Sequence, residues 1–201
     1  MKFTFAQPDN QIRVLLLDAT NKKSAGDVVS AIKCLRQAYK RMPKSPIFYG
    51  IEVYLRLPMY LQAAGLPDEA LLEFQNLIDG GYPTPTWASE PDLVSMQKSR
   101  IYDKMRLFMQ RESRNDDAIK FGVLSYLSWA KGLQLQNRKD ELASFVARDS
   151  REKTLKKLLK KAGRTQAMSV VIPIVENAIK RLPSLNSDTV ARSIDESLLT
   201  L

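Results

Sequence analysis

The sequence contains no histidine and a single cysteine, Cys34. Histidine is the commonest general base at neutral pH and a usual ligand of zinc and iron, so its absence excludes Ser-His and Cys-His nucleophiles and imidazole metal sites. One cysteine excludes an internal disulfide and a thiolate metal site. Cys34 lies in a predicted helix among Ala31, Leu35 and Ala38, where buried packing is expected.

Glycine is also sparse, with eight residues, and no glycine-rich dinucleotide or phosphate loop is present. The pairs Asp68-Glu69, Asp116-Asp117 and Asp140-Glu141 lie where helices are predicted to start, and we expect no enzyme, no cofactor and no catalytic residue. Long apolar runs are missing as well: the runs stop after a few residues, as at 14–17, too short for a transmembrane span. The first residues lack the apolar run of a secretory signal, so a cytoplasmic location is expected.

The chain does contain a recurring unit in which an apolar ladder precedes an acidic pair at fixed distances. Asp68-Glu69 follows the first ladder, Asp116-Asp117 the second and Asp140-Glu141 the third. The ladders are Tyr54, Leu57 and Leu61; Tyr102, Met105 and Met109; and Tyr126, Trp129 and Leu133. Apolar residues at i, i+3 and i+7, then a turn, then acidic residues predict a helix followed by the N-terminus of the next helix. The chain is therefore predicted to be all-α, built from antiparallel helical hairpins.

Helix boundaries follow from apolar periodicity and from the glycine and proline positions. The first helix is expected to begin near Asp9 or Asn10 and to break at Asn21–Ser24. A helix from about Ile47 to Ala64 contains Pro58, which either kinks it or starts a second short helix. Further helices are predicted over 92–111, 116–136, 139–162, 167–181 and 187–199. The strongest loop, 80–86, suggests an N-terminal part at 1–82 and a C-terminal part at 83–201, forming one continuous domain.

Part of the chain resembles the tetratricopeptide repeat. One set of residues has the spacing of the second helix and closing proline of that repeat: Ala31, Leu35, Ala38 and Pro43. Another matches the fuller pattern: Leu57, Leu61, Gly65, Ala70, Phe74 and Leu77. The resemblance covers about 27–78, and loosely 101–142, where Gly122 takes the place of Phe74; the intervals depart from the regular repeat length. It implies a right-handed array of about eight or nine helices, a tetratricopeptide-like α-solenoid, whose concave surface binds a protein or peptide partner.

Positive charge is concentrated in the second half, with 19 Lys or Arg against 12 Asp or Glu in 101–201. Eight of these cations are concentrated on one predicted helix: Arg148, Arg151, Lys153, Lys156, Lys157, Lys160, Lys161 and Arg164. The leucines of this helix form a narrow apolar stripe. Four interpretations of this helix remain open. It is a solvated face without a partner, or it binds nucleic-acid phosphates, an acidic protein or a membrane surface. Aromatic residues that would stack on single-stranded bases are missing from it.

We therefore expect a non-enzymatic interaction module that binds a protein or peptide through a concave helical surface. Such a module would suit an accessory protein of a bacterial conflict, defence or regulatory system. The alternative is a nucleic-acid-binding protein that uses the basic helix 148–164, whose cations are the candidate partner-binding residues. An enzyme based on Asp or Glu ranks third.

Overall fold

The computed structural model describes residues 9–83, 90–136, 145–182 and 186–199, and side chains at 145–149, 187, 188 and 199 lie outside this description. The described residues form helices and turns without any strand, so the all-α prediction is confirmed. Backbone contacts divide the chain into two compact units, Met1–Thr86 and Trp87–Leu201. We call them the N-terminal unit and the C-terminal unit. That the chain forms one continuous domain stays a prediction.

The N-terminal unit begins with two antiparallel helices and ends with a hairpin packed against the second of them. Its helices are α1 (Asn10–Ser24), α2 (Val28–Arg41), α3 (Ile51–Tyr54), α4 (Arg56–Ala63) and α5 (Pro67–Ile78). The carboxylates of Asp9 and Asp27 accept backbone N–H groups at the starts of α1 and α2, which satisfies otherwise unpaired donors. Between α4 and α5, Gly65 has a φ of 75°, a conformation that residues with a Cβ rarely adopt.

Two boundary predictions in this unit were wrong in detail. Helix α1 continues through Asn21–Ser24, because none of those residues breaks a helix, and it ends just before Gly26 with its φ of 86°. The helix expected from Ile47 starts at Ile51 and is interrupted at Leu55. Pro58 then lies in the first turn of α4, where a missing N–H leaves no intrahelical bond unmade.

The C-terminal unit is arranged around one buried helix, α7. The unit contains α6 (Pro91–Arg111), α7 (Asn115–Leu135), α8 (Phe145–Lys161), α9 (Met168–Lys180) and α10 (Ser187–Leu199). Helix α7 contacts α6, α8, α9 and α10. From Ala118 to Leu133, 12 of its 16 residues are buried, and a helix buried over most of its circumference belongs in a core. Because α7 follows the second acidic pair and contains the third ladder, the sequence assigns it to two successive hairpins, and in the structure it packs against four helices.

Small residues allow the antiparallel pair α6 and α7 to approach closely. Ser99 donates its hydroxyl to the carbonyl of Ser125 (2.8 Å), and Ser125 donates to the carbonyl of Ser99 (2.9 Å). Gly122, on α7, leaves room for the side chains of Leu155 and Leu158 on α8. These contacts explain why the large residue expected at position 122 from the repeat pattern is missing.

Most predicted bounds in this unit are close to the observed ones. Helices α6, α7 and α9 differ from their predictions by about one residue at each end, and α10 matches. Pro173 is accommodated within α9. Residues 139–144 of the predicted basic helix lie outside the described part, as do Asp140-Glu141; the described helix ends at Lys161, before Gly163 with its φ of 73°. Within the described residues, no helix is long and apolar enough to cross a membrane.

Candidate partner-binding surfaces

The N-terminal unit contains a groove bordered by α2, α4 and α5. It has a volume of about 490 Å³ and is lined by Arg36, Tyr39, Lys40, Pro43, Tyr54, Leu57, Glu73, Asn76, Leu77, Gly81 and Pro83. We call it the α2–α5 groove. Its volume lies in the range typical of ligand-binding sites, and its lining combines an apolar floor with a few polar groups, as such sites usually do.

Aromatic rings form a rigid floor for the groove. The ring centroids of Tyr39 and Tyr54 are 5.1 Å apart, and those of Tyr54 and Tyr82 are 5.5 Å apart. The Tyr39 hydroxyl donates to the carbonyl of Val53 at 2.5 Å, which ties α2 to α3. Burial raises the pKa of Tyr54 to about 12 and raises that of Tyr39 as well, so both phenols stay neutral at physiological pH. The floor therefore offers apolar ring surface rather than charge.

Charged side chains lie on both walls of the groove. On α2, Arg36 forms a hydrogen-bonded ion pair with Glu69 of α5 at 2.8 Å, and both side chains are about half exposed. Lys40, one turn further along α2, is exposed. On α5, Glu73 is partly buried, and burial raises the pKa of its carboxyl above the ordinary value, although Arg36 opposes this rise. The Glu73 carboxylate forms no hydrogen bond or ion pair with any described residue.

These groove residues were not identified from the sequence as a binding site. Glu73 lies three residues after Ala70 and four before Leu77, both of which are buried. It therefore occupies an apolar position of the α5 pattern. A carboxylate at such a position was the signal that could have indicated this site.

The predicted basic helix corresponds to α8, and the structure separates its cations into two groups. Five lysines are exposed and lie on one face: Lys153, Lys156, Lys157, Lys160 and Lys161. We call them the lysine stripe. Leu155, Leu158 and Leu159 lie on the opposite face and are 1%, 4% and 0% exposed. Helix α8 is thus held to the C-terminal unit by its leucines, and its lysines face solvent.

The remaining predicted cations are engaged elsewhere or are not described. The Arg151 guanidinium lies over the Trp129 ring, 4.4 Å from its centroid, where burial lowers the pKa of Arg151 despite the nearby Asp103 and Tyr126. The Arg164 guanidinium lies 3.6 Å from a carboxylate oxygen of Asp116. The side chain of Arg148 lies outside the described residues. Sequence reasoning therefore grouped eight cations of which the structure brings five together as an exposed set.

Two of the three acidic pairs that follow apolar ladders are described, and both lie at helix starts, as their positions predicted. Asp68 and Glu69 occupy the first turn of α5, and Asp116 and Asp117 occupy the first turn of α7. Neither helix has a side-chain cap hydrogen bond, so these carboxylates complement the helix dipole rather than cap it. Asp117 also forms an ion pair with Arg114 at 2.7 Å. Among the described residues, no group of carboxylates and cysteine is arranged to hold a metal ion.

Comparison with known proteins adds no family assignment. The chain matches no known protein family, and no curated protein or solved structure is significantly similar to it.

Proposed function

We propose that this protein is a non-enzymatic recognition module that binds an extended peptide segment of a partner protein in the α2–α5 groove. In this proposal, an apolar side chain of the peptide lies on the half-buried Tyr39 ring, which packs against the buried Tyr54 ring, and a neighbouring lysine or arginine pairs with Glu73. Asn76 also lines the groove, and its Nδ2 donates to the Gly81 carbonyl at 3.5 Å.

The observation that carries this proposal is the carboxylate of Glu73. A partly buried carboxylate without a hydrogen-bond partner is costly, because burial favours its neutral form. A cationic side chain placed beside it would oppose this effect of burial and supply a charge-assisted hydrogen bond, which is among the stronger polar contacts. The adjacent rings add apolar contact area at little cost in conformational entropy, since they are already fixed by packing.

The tetratricopeptide resemblance supports the same location. Six residues of the tetratricopeptide pattern in the N-terminal unit are each 0% exposed: Ala31, Leu35, Ala38, Leu61, Ala70 and Phe74. We infer that the hairpin of α4 and α5, packed against α2, forms the tetratricopeptide-like portion of the chain, with its concave side at the groove. In the C-terminal unit, where α7 is surrounded by four helices, packing favours a bundle over a solenoid.

A peptide-display selection tests the proposal even though the partner protein is unidentified. Peptides are selected on the wild-type protein and then measured against Asn76→Phe, which places a ring in the groove, and against Gln75→Phe, its exposed neighbour outside the lining. We expect Asn76→Phe to abolish binding and Gln75→Phe to preserve it. Peptides that bind both variants equally would show that the groove is not the site.

The role of Glu73 is measured separately with an isosteric substitution. Glu73→Gln should weaken the selected peptides about tenfold, which corresponds to about 1.4 kcal/mol. Asp68→Asn is the matched control, because Asp68 is an exposed carboxylate on the same helix and lies outside the groove lining. The selected peptides could instead carry acidic residues and bind Glu73→Gln as tightly as wild type. The groove would then still be the binding site, but its ligand would not be basic.

A further inference from the structure

The lysine stripe on α8 is a separate surface with a single sign of charge. Lys153, the first lysine, and Lys161, the last, are eight residues apart, a distance of about 12 Å at the α-helical rise of 1.5 Å per residue. Lys157, Lys160 and Lys161 form no ion pair with any described residue, whereas Lys156 is paired with Glu152 of the preceding turn. No apolar side chain lies on this face between Lys153 and Lys161.

Burial of the leucines removes one of the three partners that the sequence left open, the membrane surface. A helix that binds a membrane surface inserts an apolar face between lipid headgroups. On α8 that face is already packed within the C-terminal unit, since Leu158 and Leu155 lie beside Gly122 of α7. The stripe therefore has charge to offer a membrane but no apolar surface to insert.

The composition of the stripe also distinguishes between the remaining partners. Binding energy at protein interfaces is concentrated in buried aromatic and arginine anchors, and lysine is depleted from their cores. The stripe contains lysine alone, and the one arginine of α8 with a described side chain lies over Trp129 instead. Phosphate backbones need no such anchor, because their affinity comes from neutralised charge and the counterions that it releases.

We propose that the lysine stripe binds the phosphate backbone of duplex nucleic acid without reading its base sequence. Its length of about 12 Å compares with an axial spacing of about 3.4 Å between phosphates of one strand, so several lysines reach phosphates at the same time. The lack of aromatic side chains between the lysines favours a duplex over a single strand, because single-strand binding uses stacking on unpaired bases. Contacts to phosphates position a protein on a duplex but carry no sequence information.

The proposal predicts a specific salt dependence for the full-length protein. The probe is a labelled mixed-sequence DNA duplex of about 20 base pairs, two helical turns, followed by fluorescence anisotropy over a range of salt concentrations. Replacing Lys157, Lys160 and Lys161 with glutamine should reduce the slope of log affinity against log salt by about 2.7, or about 0.9 per lost contact. Glutamine is nearly as good a helix former as lysine, and the leucine face is untouched, so circular dichroism should be unchanged.

A control of equal charge separates the stripe from the overall positive charge of the protein. Lys33, Lys44 and Lys180 are exposed, lie outside α8 and form no ion pair with described residues. Their triple replacement with glutamine lowers the net charge by the same amount. We expect it to change the slope by less than about one contact, or about 0.9.

Three outcomes would overturn the proposal. The first is an absence of duplex binding at low salt, and the second is an equal loss of slope in the two triple variants. The third is tighter binding of a polyglutamate chain than of the duplex through the same three lysines, which would assign the stripe to an acidic protein. None of these results depends on the α2–α5 groove, because Asn76→Phe leaves the stripe intact and the lysine variants leave the groove intact.

Discussion

The two units use similar hairpin patterns to build different kinds of surface. In the N-terminal unit, α5 buries one face and leaves the other exposed, with Leu72 72% exposed, so that a groove remains beside α2. In the C-terminal unit, α7 takes a corresponding place after its turn but is covered by four helices. The difference shows that a ladder followed by an acidic pair specifies a hairpin, whereas the number of helices packed on it decides between a groove and a core.

The burial of the two cores can be tested with the largest fully buried ring of each unit. Phe74 of α5 and Phe108 of α6 are both 0% exposed. Phe74→Ala and Phe108→Ala should each reduce the free energy of unfolding by about 3–5 kcal/mol through lost burial and cavity formation. Peptide-resolved hydrogen exchange should place the loss of protection in the unit that carries the substitution.

The exposed Leu72 provides the control for this experiment, because Leu72→Ala removes a side chain of α5 that is mostly in solvent. It should change stability little. A similarly small effect of Phe74→Ala would show that α5 is not packed as described, and the contrast between the units would lose its basis.

A smaller effect is expected at a small buried residue in each unit. Ala70 is 0% exposed, and Ala70→Leu should overpack its site and cost about 1–3 kcal/mol. Gly122→Ala should cost less. Its added Cβ would lie 2.8 Å from a terminal methyl of Leu158, which can move, and removing a glycine from a helix favours folding by roughly 0.5–1 kcal/mol.

Chemical denaturation of both variants at one pH provides the measurement. If Ala70→Leu left the denaturation midpoint unchanged, Ala70 would not lie at a close helix crossing, and the tetratricopeptide-like assignment of the N-terminal unit would fail with it.

The smallest effect concerns the charge of the groove and depends on pH. Because burial raises the pKa of the Glu73 carboxyl above its ordinary value of 4.5, the folded state binds a proton there more tightly than the unfolded state. Stability attributable to this group therefore falls as the pH rises from 4.5 through the raised pKa. The nearby charges, Arg36 and Glu69, act in opposite directions, Arg36 lowering this pKa and Glu69 raising it.

Glu73→Gln should remove this pH-dependent loss of stability. As the pH rises through this window, the free energy of unfolding of the variant should therefore increase relative to that of wild type. Thermal unfolding at several pH values measures it, with Asp68→Asn, an exposed carboxylate on the same helix, as the control. A wild-type protein that gained stability relative to Glu73→Gln on raising the pH would mean that a cation already neutralises the carboxylate.

Local features of the fold were readable from the sequence. The start of α1 after Asp9, the turn at Gly65 and the extent of α10 follow from caps, glycine positions and apolar spacing. These signals act within a few residues of the chain, so one sequence is enough to read them. The same holds for the leucine and lysine faces of α8, which a helical repeat alone places opposite each other.

Tertiary structure decided which of those faces became available to a partner. Arg151 lies on the same chain segment as the lysines, yet packing places it over Trp129 from a different helix. Glu73 follows the apolar pattern of α5, yet it borders a groove because α2 carries Arg36 and Tyr39 opposite it. The apolar spacing in α7 predicted a helix. Its burial also depends on α10, which comes much later in the chain and packs against it. Periodicity fixes the direction of a side chain relative to its own helix, whereas exposure depends on which distant segments pack against that helix.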